Sequence, residues 1–160
     1  MIIQNLNTPG NYIRTPIPLY RGDIRDILPE LQAMLALASQ TLVTCIPANH
    51  VGVWVRAAVV DQQHHLLPGR ENTIVVNPSW DVPWRNRKAK AVVPVTSVDP
   101  LTGRCYTALR HKVIMARWSD ADGNRCTQLT NSEAFIFQYL TACLDGHPLM
   151  EQAIKQEKCV

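Results

Sequence analysis

No apolar run in the chain approaches the roughly 18 residues that a bilayer-spanning helix requires, so no membrane segment is expected. The opening, MIIQNLNTPGNY, lacks a basic stretch followed by an apolar core, and a secretory leader is not expected either. No CxxC pair occurs among the five cysteines (Cys45, Cys105, Cys126, Cys143 and Cys159), which are odd in number and widely spaced. In the absence of a leader, that pattern predicts reduced thiols and a cytoplasmic location rather than a disulfide framework. Charge is scarce: 18% of residues are charged and the net charge is +3. So mild an excess would tolerate a nucleic-acid or ribosomal surface without requiring one. Internal repeats and low-complexity segments are absent. What is present, 46% apolar residues in a 160-residue chain, describes an ordinary soluble globular protein that buries roughly two thirds of its unfolded surface. The expected organisation is one domain over residues 1–150 and a polar tail over 151–160.

The first twenty residues carry Pro9, Gly10, Pro16 and Pro18 and read as an extended arm. From Asp23 to Gln40, apolar residues such as Ile24, Ile27, Leu31, Met34 and Ala38 recur at helical spacing, the mark of an amphipathic helix. Pro29 within it predicts a kink or a regular start nearby. VGVWVRAAVV (Val51 to Val60) is rich in β-branched residues and predicts a buried strand. Asp61 to Asn72, with Pro68-Gly69, predicts a loop. Further strands are predicted over Thr73 to Asn77, stopped by Pro78, and over Thr107 to Trp118. Another over Lys90 to Val98 is confined to an edge or bulge by Pro94. DADGN (Asp120 to Asn124) predicts a hairpin turn into RCTQL. Thr130 with Glu133 predicts a capping box for a last helix reaching Gly146. Its inward face would carry Phe135, Ile136, Tyr139, Leu140, Cys143 and Leu144. Strands in runs between two helices indicate an α+β fold rather than alternating βαβ units.

This order resembles the peptide deformylase family over nearly the whole chain. The local phrases that carry the resemblance are IRTPIP (Ile13 to Pro18), IVVNP (Ile74 to Pro78), HKVIMARWSDADGN (His111 to Asn124) and FQYLTACLDGHPLM (Phe137 to Met150). The resemblance implies a mostly antiparallel sheet wrapped around the C-terminal helix, with an N-terminal helix. It also implies hydrolysis of the formyl group from the N-terminal methionine of new chains by a divalent iron, nickel or zinc ion. In the family, one cysteine and the two histidines of an HExxH motif hold that ion, and the glutamate shuttles the proton of its water.

Carried over residue by residue, those groups are replaced. The family's GxGLAAxQ falls on VTCIPANH, where Val43 and Cys45 stand for the glycines and His50 for the glutamine. Its EGCLS falls on VPVTS, where Val95 stands for the metal-binding cysteine and Ser97 is retained. In HExxH, Tyr139, Leu140 and Cys143 stand for His, Glu and His. The resemblance therefore implies a degenerate member with no metal, no cofactor and no catalytic residue. Its remnant cleft, around Cys45, His50, Val95, Ser97, Tyr139 and Cys143, would bind a peptide or protein partner. An edge strand of the kind that receives substrate in the family would also serve a homodimer.

Two other classes remain open at this point. A hydrolase with non-standard residues would use Cys143 as nucleophile and His50 as base. The simpler reading is that Cys143 and Tyr139 fill the space a metal would take. Zinc held by Cys143, His50 and Cys45 is a weaker variant, since ligand spacing is lacking. The third class is a ribosome- or RNA-associated module acting through SWDVPWRNRKAK, where Arg85, Arg87 and Lys88 stand among Trp80 and Trp84. Its simpler reading is a solvated connection, and His64-His65 likewise read as a solvated loop.

Overall fold

The computed structural model describes residues 11–41, 43–61, 73–83, 91–99 and 102–157. In chain order its main elements are α1 (Ile24–Thr41), β1 (Cys45–Pro47), β2 (Ala57–Val60), β3 (Thr73–Asp81), β4 (Val92–Val98), β5 (Cys105–His111), β6 (Val113–Asp120), β7 (Gly123–Thr130), α2 (Asn131–Leu144), α3 (Leu149–Gln152) and β8 (Ala153–Glu157). The strands pair antiparallel in two sheets, ordered β1-β2-β3-β6-β7 and β4-β5-β8. Helix α2 packs on β1, β3, β5, β6 and β7, so the sheets wrap around it as the α+β expectation requires.

Helix α1 follows its pattern: Ile27, Leu31, Met34 and Ala38 form one buried stripe, packed on Ile46, Ala57, Val59 and Val76. Asp23 starts it, its carboxylate accepting the Arg25 backbone N–H at 2.9 Å, so the regular helix begins before Pro29 rather than at it. The strand predicted from Val51 is shorter than expected. Ala48–Val51 closes a 3-10 turn capped by Gly52 at φ 75°, and only the wholly buried Ala57–Val60 enters the sheet. Conversely, β3 runs past Pro78. Asn77 takes φ 52°, the register slips between Val76 and Ser79, and the bulge absorbs a residue that has no N–H to donate. The Asn77 side chain fixes this turn by donating to the Tyr20 carbonyl and accepting from the Tyr20 N–H, both at 2.8 Å.

The strand expected from Thr107 to Trp118 is two strands in different sheets, divided at Lys112. Gln138 of α2 pins the division, accepting the His111 N–H at 2.9 Å and donating to the His111 carbonyl at 2.8 Å. The hairpin between β6 and β7 forms as predicted, with Ala121 and Asp122 at its tip and Gly123 at φ 125°. The expected capping box does not form: Thr130 is extended and makes no side-chain bond to the helix. The C-terminal residues also depart from expectation. Residues 151–157 of the supposed polar tail complete α3 and supply β8, which pairs with β5. Cys105 is disulfide-bonded, contrary to the expectation of reduced thiols throughout, while Cys45, Cys126 and Cys143 are free.

The end of α2 fixes how the N-terminal arm meets the core. His147 N–H donates to Ala142 O at 2.9 Å and Gly146 N–H to Cys143 O at 3.1 Å, a Schellman closure with Gly146 at φ 87°. A Cβ on Gly146 would lie 2.8 Å from the Arg14 carbonyl oxygen, because the arm runs directly over the corner. Gly146→Ala is therefore expected to cost about 2–4 kcal/mol, the left-handed penalty plus a backbone clash. Gly103, at φ 69° with nothing within 4 Å of an added Cβ, is the control. Gly103→Ala should cost only about 1 kcal/mol in urea unfolding. Equal midpoints for the two variants would refute the close approach of the arm.

Candidate functional site

A cavity of about 490 Å³ opens where β1, β4, β5 and α2 meet. Thr44 and Cys45 border it from the first sheet, Val95, Ser97 and Arg110 from the second. Helix α2 contributes Phe135, Ile136 and Tyr139. This explains why those three are only half-buried although the periodicity placed them inward, while Phe137, Leu140 and Leu144 are fully buried in the main core. Both β1 and β4 are outer strands of their sheets, so among the described residues each presents an unpaired backbone edge beside the cavity. Opposite β4, the register sets Arg110 against Val93 and Ala108 against Val95.

Of the residues singled out from sequence, Cys45, Val95, Ser97 and Tyr139 line this cavity. His50 and Cys143 lie in the buried layer behind it. Burial pushes the Cys143 thiol up to about 12, against the pull of Tyr139, Gln152 and Arg110. Burial raises the Cys45 thiol well above its usual 9, with Cys143 adding to the effect. The same desolvation lowers His50 to about 4. His50 Nε2 is buried without a hydrogen-bond partner, and its ring stands edge-on to Tyr139 with centroids 6.5 Å apart. The Tyr139 hydroxyl is near the Cys143 sulfur but without hydrogen-bond geometry, and burial raises its pKa well above 10. Two bonds hold Cys143 in place: Gln152 Nε2 donates to its sulfur at 3.6 Å and Asn49 Nδ2 to its carbonyl at 2.9 Å. A nucleophilic thiol needs a lowered pKa and a base near neutrality. Cys143 and His50 are each shifted the opposite way, and no hydrogen bond joins them.

Arg85, Arg87, Lys88, Trp84, His64 and His65 lie outside the described residues. Trp80 packs against the main core, its ring centroid 5.5 Å from that of His111. Among the described residues, no helix is long and apolar enough to cross a membrane.

The polypeptide deformylase family model matches residues 13–159. The chain belongs to the polypeptide deformylase family. Solved deformylase structures share its fold at low identity. That of Arabidopsis thaliana superposes with a TM-score of 0.79 at 19% identity, covering 97% of this chain and 81% of that one. The Plasmodium falciparum enzyme gives 0.78 at 14% identity, covering 92% and 84%. The Thermotoga maritima enzyme also gives 0.78, at 15% identity, covering 91% and 93%. At such identities the likeness speaks to the fold alone. No curated protein matches the chain significantly.

Deformylase chemistry calls for a divalent metal, and the residues of this chain do not fit one. On the sequence resemblance, Val95, Tyr139 and Cys143 stand at the positions of the family's ligands. Valine has no donor atom, so at most two of the three positions offer one. Among the described residues, no three His, Cys, Asp or Glu side chains gather closely enough to hold an ion.

Sequence reasoning missed Arg110 and Gln138. Arg110 carried a signal: in CYTALRH it shares the inward face with Tyr106 and Ala108, where a charge is out of place. Gln138 left none, because its role depends on the break between β5 and β6.

Proposed function

We propose that this family member has given up metal-dependent deformylation and keeps the cleft as a binding site for an extended, peptide-like ligand. The observation that carries the reading is the setting of Cys143, a fully buried thiol in the place of a metal-binding histidine, with no cluster of three His, Cys, Asp or Glu side chains around it among the described residues. Beside it, Leu140 is fully buried in the core where the family's general base would stand. Binding needs none of these groups. An extended peptide adds to a sheet edge through backbone bonds, and the cavity is flanked by the edges of β1 and β4. Half-buried apolar side chains, Val95, Phe135 and Ile136, would receive alternate side chains of such a ligand.

Two measurements test this. Protein purified anaerobically is expected to carry far less than one equivalent of iron, nickel or zinc, and to leave formyl-methionyl peptides intact; a stoichiometric metal with turnover would falsify the reading. Short apolar peptides are expected to bind, and N-methylation of an edge-facing amide should weaken binding about ten-fold by removing one hydrogen bond. Binding indifferent to N-methylation at every position would rule out the edge mode.

A further inference from the structure

The cavity wall holds a cation that the surrounding side chains leave uncompensated. Arg110 is 7% exposed and lines the cavity. A guanidinium has five N–H donors. Among the described residues only one is used, Nη2 donating to the Gln152 side-chain oxygen at 2.5 Å, and no carboxylate reaches ion-pair distance. Gln152 is itself held, its amide donating to the His147 carbonyl at 2.6 Å and to the Cys143 sulfur, so a neutral acceptor is all it offers. Desolvation lowers the Arg110 pKa, yet a guanidinium stays charged in proteins. Buried charges are ordinarily paired. A buried, unpaired cation facing an open cavity is a place where the ligand supplies the anion.

The rest of the wall narrows the class. Val43, Val95, Val98, Phe135 and Ile136 make it largely apolar, and the hydroxyls of Thr44, Ser97 and Ser132 add neutral donors. Asp99, fully buried, is close enough to Tyr139 and Cys143 to raise both. A dianion such as a phosphate would add a second negative charge near it, whereas one carboxylate balances one guanidinium and matches its fork. On the peptide reading of the cleft, we infer that the ligand is a short apolar peptide or acyl-amino acid with a free carboxylate, which pairs with Arg110 while its apolar body lies against Val95, Phe135 and Ile136.

Calorimetric titration with N-acetyl-leucine and with N-acetyl-leucinamide tests this. The acid is expected to bind about ten-fold or more tightly than the amide, the usual margin for a charge-assisted bond in a dry site. In Arg110→Met the preference should vanish with amide affinity retained, and Arg110→Lys should keep part of it. Replacing an unpaired buried charge by an apolar side chain is compatible with folding, and melting temperatures verify it. Equal affinities in the parent, or a preference surviving Arg110→Met, overturn the carboxylate inference and leave the peptide cleft standing. Failure of both compounds and of the short apolar peptides to bind overturns the two together.

Discussion

Leu140→Glu is expected to unfold the protein at neutral pH, while Leu140→Met is tolerated. Leu140 is 0% exposed and packs in the main core with Phe137, Leu144, Ile114 and Trp118. A carboxylate there forfeits roughly 2–3 kcal/mol of apolar burial and adds several more for desolvating a group with no partner. The sum, about 5 kcal/mol or more, equals the whole stability of many domains of this size. Methionine keeps the volume and should cost under about 1.5 kcal/mol. Circular dichroism and urea unfolding of the two variants supply the test. A folded Leu140→Glu protein with a midpoint near the parent's would mean that position 140 opens to the cavity. The expected result also bears on function. Rebuilding HExxH here by Tyr139→His, Leu140→Glu and Cys143→His would place its glutamate in the core, so a working HExxH site is not three substitutions away.

How much of this was legible beforehand depended on whether a feature writes itself into side-chain pattern. The stripe Ile27, Leu31, Met34 and Ala38 did, and α1 stands where it was expected. Pro94 confined β4 to an edge or a bulge for want of an N–H, and among the described residues β4 is an edge. Strand β8 did not, because AIKQE has no alternation; it is held by backbone pairing to β5, which any sequence can make. The break at Lys112 was equally silent, since both halves are strand and only their sheets differ. At the site, Cys45, Val95, Ser97 and Tyr139 were found through the order of the family's motifs, which survives change of residue. The separation of His50 and Cys143 from the open cavity, and the turn of Arg110 into it, required the packing of α2 against two sheets.

Acid should destabilise this protein through His50. Its folded pKa, about 4, lies below its ordinary 6.5 because burial disfavours the imidazolium, and among the described residues the ring facing it is the uncharged Tyr139. Between those values the unfolded chain binds the proton more readily than the folded one. Stability is then full above pH 6.5 and falls as the pH drops towards 4, by about 3 kcal/mol in all. His50→Gln removes the titrating group, so the stability gap between variant and parent should shift in the variant's favour by that amount across the interval. Urea unfolding at several pH values reads this directly. The alkaline side has the opposite sign: Cys143, raised from 9 to about 12, keeps its proton only when folded, so stability falls as pH rises through that range. Cys143→Ala should make that limb shallower, with buried Cys45 and Tyr139 still contributing to it, and leave the acid limb unchanged. A gap between His50→Gln and parent that stays constant from neutral to acid pH would mean that His50 is solvated, and that the layer behind the cavity is open to water.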